Sequence, residues 1–381
     1  MFTILYATAV LYLPSVFGLP YGELLTLSSL GLVLFGIGAL PAGWLGDRWS
    51  QVGMMVIFFI GIGLGTIFTG LAQGPGGVFV GLTLIGLFAS IYHPVGIAWL
   101  VASARKQGMA LGINGVFGSL GSSLAPIVVG IMIDLGSWRA AFIGPGVFAV
   151  GIGLYLFLSW KRGKVSDIKS DVSPPLPPEA GTLKRVFIIL TLTMACSGFV
   201  YIGVINTMPK VFEVGLGPAL GGSYTKIGLF VGVILGISSL GSVLGGLLAD
   251  RYSARQIYIV FWLALAIPLF FMTSMFGVGL LLVAGLALFL NVCFGAAENM
   301  LVARYTPFEW RSLAYGAKFV LALGVGGVTV HLAGNIYDAT GTMNFLYVLF
   351  GLCAIGAGGF AFLLPGSGSK AGGLGYHVKT S

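Results

Sequence analysis

Residues 43–50 read GWLGDRWS and residues 246–253 read GLLADRYS. Each copy is a Gly, three residues, Asp-Arg, an aromatic and a Ser, and the two copies lie 203 positions apart. Each closes a long apolar run. Ions are scarce elsewhere: 8% of the 381 residues are Asp, Glu, Lys or Arg, and 57% are hydrophobic. A soluble domain carries roughly 25% charged residues, so most of this surface must face lipid. A chain this poor in charge that repeats one Asp–Arg pattern contains a duplicated unit.

A hydrocarbon core about 30 Å thick needs roughly 20 helical residues per crossing. Twelve spans meet that length: 2–19, 24–46, 52–72, 78–104, 109–133, 140–160, 186–208, 226–249, 257–275, 278–303, 313–336 and 345–364. The runs are continuous rather than alternating, which excludes a membrane β-barrel. The first span starts at Phe2 with no basic flank and holds Pro14, as if part of its helix lay upstream. Without a charged n-region or a small-residue cleavage site it does not read as a signal peptide. Between spans six and seven lies KRGKVSDIKSDVSPPLPPEAGTLKR, residues 161–185, the one long polar stretch. It divides the chain into a six-span unit over 1–160, a linker over 161–185, a second unit over 186–364 and a tail over 365–381.

Lys and Arg set the orientation. With the linker inside, the inner loops and tail hold 15 of the 19 basic residues; the outer loops hold Arg139, Lys210 and Lys226, and Lys318 lies within a span. Both ends are then cytoplasmic, in a multi-pass protein of the plasma membrane (a bacterial inner membrane). The formal charge of +8 is spread over short loops rather than one face, so no nucleic-acid partner is expected. Cys196, Cys293 and Cys353 sit inside apolar runs and give no metal spacing and no disulfide framework. No cofactor is expected either.

Further echoes support duplication. GIMID at 130–134 returns as GNIYD at 334–338, an offset of 204, and LVAS at 100–103 returns as LVAR at 301–304, an offset of 201. Duplicated halves with a site near mid-membrane are a recurring design of secondary transporters. Gly43-x-x-x-Asp47-Arg48 and Gly246-x-x-x-Asp250-Arg251, between spans 2–3 and 8–9, resemble the signature loop of the major facilitator superfamily. The likeness covers nearly the whole chain: twelve spans, two sets of six, one central linker. It implies an all-α membrane protein with twelve transmembrane helices in two pseudo-symmetric six-helix bundles. It also implies that the Asp caps a neighbouring helix end while the Arg ties down the cytoplasmic face of the outward-open state. Ser50 and Ser253 replace the family's next Gly, and of its trailing basic residues only Arg255 remains, so the latch is implied more strongly for the second half.

Ionisable groups inside spans are functional candidates by default. Spans 3, 6, 9 and 12, which the family places on its lipid-facing periphery, contain no charged residue; the intramembrane exceptions are His93, Glu298, Lys318 and His331 in spans 4, 10 and 11. At 1.5 Å per residue, Glu298 lies roughly 9 Å inside the cytoplasmic boundary and Lys318 roughly 10 Å inside on the next, antiparallel helix. Two readings stand: a static ion pair, or a working pair in which Glu298 takes up a proton and Lys318 is freed for an anionic solute. Asn299 could add an amide. His93 lies roughly 18 Å from Arg105, near mid-membrane. Pro94 cannot donate to the carbonyl of residue 90, Tyr92 adds a hydroxyl, and the imidazole could relay a proton or bind a solute. The alternative is a neutral histidine used in packing, which is also the reading of His331. The Tyr92-His93-Pro94 run resembles the fosmidomycin-resistance-like branch of the superfamily. Tyr201, Asn206 and Asn114 are further candidate hydrogen-bonders.

On span 5, Gly112, Gly121, Ala125-Pro126 and Gly130 are similar to the family's antiporter motif, with Ala125 and Val129 where it has glycines. That resemblance implies a bendable hinge between the halves and export by exchange with protons. Against it, the family's span-4 Arg is absent, since residues 79–90 carry no charge. No Gly-x-x-x-x-Gly-Lys-Ser/Thr run is present to drive transport with a nucleotide. No nucleophile–base set marks an enzyme. The expectation is a monomeric secondary active transporter of a small organic solute, proton-coupled and leaning to efflux. The alternatives are a proton-coupled importer of a small organic anion and a transport-inactive receptor.

Overall fold

Among the described residues of the computed structural model (2–104, 106–167, 182–305 and 311–365) every regular element is helical. The side chains of 107, 108, 111, 182–184, 296, 303–305 and 311–319 and of Asp250 are outside that description. The first half comprises α1 (Phe2–Ala9), α2 (Leu13–Phe17), α3 (Tyr21–Thr26), α4 (Ser29–Ile37), α5 (Ala39–Arg48), α6 (Gln51–Leu71) and α7 (Pro75–Ala89). A π-helical turn (Tyr92–Gly96), α8 (Ile97–Ser103), α9 (Gln107–Asp134) and α10 (Ala140–Lys161) complete it. The second half comprises α11 (Thr182–Leu220), α12 (Tyr224–Ser238), α13 (Gly241–Arg251), α14 (Ala254–Phe271), α15 (Gly277–Tyr305), α16 (Arg311–Thr340) and α17 (Asn344–Ala361).

Among the described residues ten helices are long and apolar enough to cross a bilayer, and the bent pair Tyr21–Ile37 with Ala39–Arg48 (41°) makes eleven. The remaining expected span, 2–19, is not one helix. Pro14 has no N–H to return to the Val10 carbonyl, so α1 ends and Pro14 opens α2, where the missing donor does no harm. Neither piece alone is long enough to pass the same test. Duplication shows in the bends as well: the second span breaks at Gly38, and the eighth breaks at Ser239–Leu240, just before Gly241, 203 positions on.

Without a hydrophobic drive between helices in lipid, association rests on close packing. Gly63 on α6 and Gly146 on α10 make this plain: a Cβ on either would lie 2.7 and 2.8 Å from the other's carbonyl oxygen. The periphery carries large apolar side chains such as Phe148, 71% exposed, and Leu282, 69% exposed, a surface suited to acyl chains.

Two seams join the halves. In the first, α9 lies against α12; a Cβ on Gly130, Gly228 or Gly232 would fall 2.3, 2.1 or 2.4 Å from the carbonyl oxygens of Tyr224, Pro126 and Ser123. In the second, the broken second span lies against α16: a Cβ added to Gly22, Gly327 or Gly36 would fall 2.0, 2.4 or 2.4 Å from the Gly334 carbonyl oxygen, the Ser29 carbonyl oxygen or the Gly324 nitrogen. Both seams run from the end opposite the linker to mid-helix. Toward the linker end α9 stands clear: Gly112, Gly115 and Gly118 have nothing within 4 Å of an added Cβ. Val116 and Phe117 beside them are 60% and 69% exposed. The halves therefore meet at the far end and part toward the linker end.

Candidate functional site

The fourth span is not a continuous α-helix. Pro94 cannot bond the Ser90 carbonyl, and the chain takes a π turn over Tyr92–Gly96, a local widening frequent at functional positions. It is braced by α5, where a Cβ on Gly43 would lie 3.2 Å from Pro94 and one on Gly46 2.8 Å from Val95. The Gly of the first Asp–Arg pattern is thus a packing position behind this turn. The turn presents Tyr92 and His93, consecutive residues, to one cavity. The His93 ring stacks on Phe35 (5.9 Å between centroids) and meets Tyr92 edge-on (5.6 Å), and the Tyr92 hydroxyl donates to Asn114 Oδ1.

The cavity, about 340 Å³, lies where the seams end. The first half gives it Tyr92, His93, Asn114, Gly115, Gly118, Ser119 and Ser122; the second gives Tyr201, Leu235, Ser238, Ser239, Ser242, Leu288 and Val292. Among these lining residues none is Asp, Glu, Lys or Arg, so His93 is the one group able to take positive charge. Ser239 donates to the Gly236 carbonyl (2.6 Å) and Ser242 to the Ser239 carbonyl (2.7 Å). Ser238, only 2% exposed, has a hydroxyl with no hydrogen-bond partner.

Four of the residues singled out in the sequence, Tyr92, His93, Asn114 and Tyr201, come together here. Five serines that also line the cavity were not anticipated: Ser119 and Ser122 on α9, and Ser238, Ser239 and Ser242 at the break between α12 and α13. Their three- and four-residue spacing, in helices otherwise apolar, was the available signal.

Other candidates lie elsewhere. Asn206 is buried in the second half, its Nδ2 donating to the Ile202 carbonyl of its own helix at 2.8 Å. Glu298 is 1% exposed and accepts from the Tyr258 hydroxyl of α14 at 2.8 Å. It shares the face of Phe294, whose ring stacks on Trp262 at 4.4 Å, rather than the face of the cavity residues Leu288 and Val292. One oxygen of the carboxylate expected near the solute path is therefore held by α14. Asn299 is exposed, and so is His331, which was expected to pack. The Lys318 side chain, and with it the expected pairing with Glu298, lies outside the described residues.

At the Asp–Arg loops, Asp47 and Arg48 are exposed, and Arg48 lies 4.8 Å from the centroid of the Trp44 ring. Arg48 forms no ion pair among the described residues, as expected where the halves have parted at the linker end. The N-terminal end of the following helix, α6, is capped by groups outside the Asp–Arg pair. Ser50 Oγ accepts from Gly53 N at 2.8 Å, and the linker residue Asp167 accepts from Ser50 Oγ and from Val52 N at 2.9 Å. In the second copy Gly246 has nothing within 4 Å of an added Cβ, the Asp250 side chain is outside the description, Arg251 is exposed, and Arg255 donates to the Phe362 carbonyl at 2.6 Å. Of the expected hinge residues, Pro126 and Gly130 lie in the first seam, Gly112 beyond it on the parted side and Gly121 on α9 between them.

Two bundles of membrane-length helices joined at one end around a polar cavity define a membrane solute carrier. The family model of the Major Facilitator Superfamily matches residues 1–329. The chain belongs to that superfamily and is a multi-pass membrane transporter, not an enzyme. It is 26% identical to the uncharacterized MFS-type transporter YfnC of Bacillus subtilis (strain 168) over 370 residues, 90% of this chain and 85% of that one. It is 25% identical to the cis,cis-muconate transport protein of Acinetobacter baylyi over 253 residues, 61% of this chain and 58% of that one. Its fold is similar to the crystal structure of a D-xylose-proton symporter, with a TM-score of 0.72, 17% identity and coverage of 96% of this chain and 95% of that one.

Proposed function

We propose that this protein is a proton-coupled secondary transporter that holds a small polar organic solute in the cavity bounded by Tyr92, His93, Asn114 and Tyr201. The convergence of these four side chains, from both halves, in one cavity of about 340 Å³ carries the reading. The volume falls within the range of small-molecule pockets. The basic-residue asymmetry supports a cytoplasmic linker and tail, and hence a cavity open to the cytoplasm in this conformation. Alternating access then follows from rocking the halves until the far seams part and the linker ends meet. One chain supplies both walls, so the working unit is a monomer.

The lining composition favours His93 over Glu298 as the coupling group, because Glu298 faces α14. An imidazole away from water holds a proton poorly by itself and well beside an anion. Proton and solute occupancy are therefore linked at this one group. The glycine pattern on α9 supports efflux by exchange with protons. A second reading, import of a small organic anion with a proton, is favoured by the muconate transport protein among the relatives, and by His93 as the lining group able to meet an anion.

Proteoliposomes with an imposed pH gradient, loaded in turn with small carboxylates, sugars and amphiphilic amines, test the reading. A pH gradient should drive net movement of one class, and its direction separates exchange from co-transport. In His93→Gln, gradient-driven movement should fall at least tenfold while solute–solute exchange persists. Gradient-driven transport of unchanged rate in that variant would remove His93 from the coupling.

A further inference from the structure

At the far end two carboxylates each reach from one half into the other. Asp134, the last residue of α9, accepts from Ser223 Oγ at 2.7 Å, Tyr224 N at 3.0 Å and Thr225 N at 2.9 Å, at the opening of α12. Asp338, near the end of α16, accepts from Gly22 N and Glu23 N, both at 2.8 Å, at the opening of α3. All five bonds cross between the halves, and the two acids stand 204 positions apart as the final residues of the repeated GIMID and GNIYD segments. Each joins the C-terminal end of the fifth helix of one half to the N-terminal end of the second helix of the other.

Their chemistry suits a contact that must hold and release. The first N–H groups of a helix have no partner within it and lie at the positive end of its dipole, so a carboxylate there satisfies them and gains from the field. On release, water takes both partners, so no charge is stranded. The fit is specific: a Cβ on Gly22 would lie 2.6 Å from Asp338 Oδ1 and 2.0 Å from the Gly334 carbonyl oxygen, so only glycine admits the carboxylate.

We propose that Asp134 and Asp338 are paired gating residues that hold the far end of the transporter shut and set the fraction of molecules open at the linker end. Because they sit on separate seams, one rocking motion breaks both and their effects multiply. Capping interactions of this kind are worth about fivefold in population each, and so about 25-fold together. The inference does not depend on the solute or the coupling ion.

Double electron–electron resonance in liposomes tests it without any substrate. The three cysteines are replaced by serine, and spin labels are placed at Ser137→Cys and Ala219→Cys for the far end, or Ile113→Cys and Leu247→Cys for the linker end. In Asp134→Ala or Asp338→Ala the ratio of far-open to far-closed molecules should rise about fivefold, and in the double variant about 25-fold. Ser223→Ala, which removes one donor and leaves the carboxylate, should give a smaller rise of about twofold. The linker-end distance should shorten in step, a reciprocal change that a misfolded chain would not show. A double variant with both distance distributions unchanged, or one that widens at both ends, would overturn the assignment.

Discussion

Replacing Gly228 by Ala probes the central physical claim, that the far end closes through backbone contact between α9 and α12. A Cβ at Gly228 would lie 2.1 Å from the Pro126 carbonyl oxygen. An ordinary carbon–oxygen contact lies at about 3.3–3.6 Å, so the two backbones must separate by about 1.2 Å at that point. Packed helices do not deform smoothly, and overpacking of this size costs about 1–3 kcal/mol. The cost falls only on the state in which this seam is made. The population should therefore move toward the far-open state by about 5- to 150-fold, since each 1.4 kcal/mol is a factor of ten. The far-end spin-label distance reads the shift directly. Gly151→Ala on α10, where an added Cβ meets nothing within 4 Å, is the matched control and should leave the distance alone. A wild-type distance distribution in Gly228→Ala, with the protein folded and monodisperse, would mean that the seam yields elsewhere and does not govern the gate.

Gly115 should behave in the opposite sense. An added Cβ there has nothing within 4 Å in this conformation, so Gly115→Ala should be harmless here and obstruct closure of the linker end, lowering the far-open fraction in the same distance measurement. Tyr258→Phe removes the hydroxyl that donates to buried Glu298 at 2.8 Å. Leaving a buried acceptor short of a partner costs about 1–3 kcal/mol, so the midpoint of thermal unfolding in detergent should fall, and an unchanged midpoint would contradict that bond. Asp167→Ala takes away the carboxylate that ties the linker to Ser50 and to Val52 N. About 1 kcal/mol of capping is lost, and tryptic cleavage after Lys164 should quicken several-fold; an unaltered rate would show that the linker is held otherwise.

Architecture was legible because it rests on periodicity and composition. Twenty-residue apolar runs, a single polar linker and 15 basic residues on one side of the topology follow from the energetics of lipid and need no contact information. The repeats GWLGDRWS/GLLADRYS and GIMID/GNIYD announced two related halves. Pro94 beside Tyr92 and His93 announced a special turn in span four, because a residue with no N–H leaves a carbonyl unpaired wherever it sits in a helix. Facing direction was another matter. Glu298 and Asn206 were as conspicuous in the sequence as His93, yet Glu298 turns to Tyr258 and Asn206 to its own Ile202 carbonyl. The unremarkable serines of α9 and of the α12–α13 break line the cavity instead. In a helix apolar on every side no amphipathic stripe tells which face meets lipid, a neighbour or water. Only the crossing of one bundle against the other decides that, and the same crossing turns two distant aspartates into partners of helix starts in the opposite half.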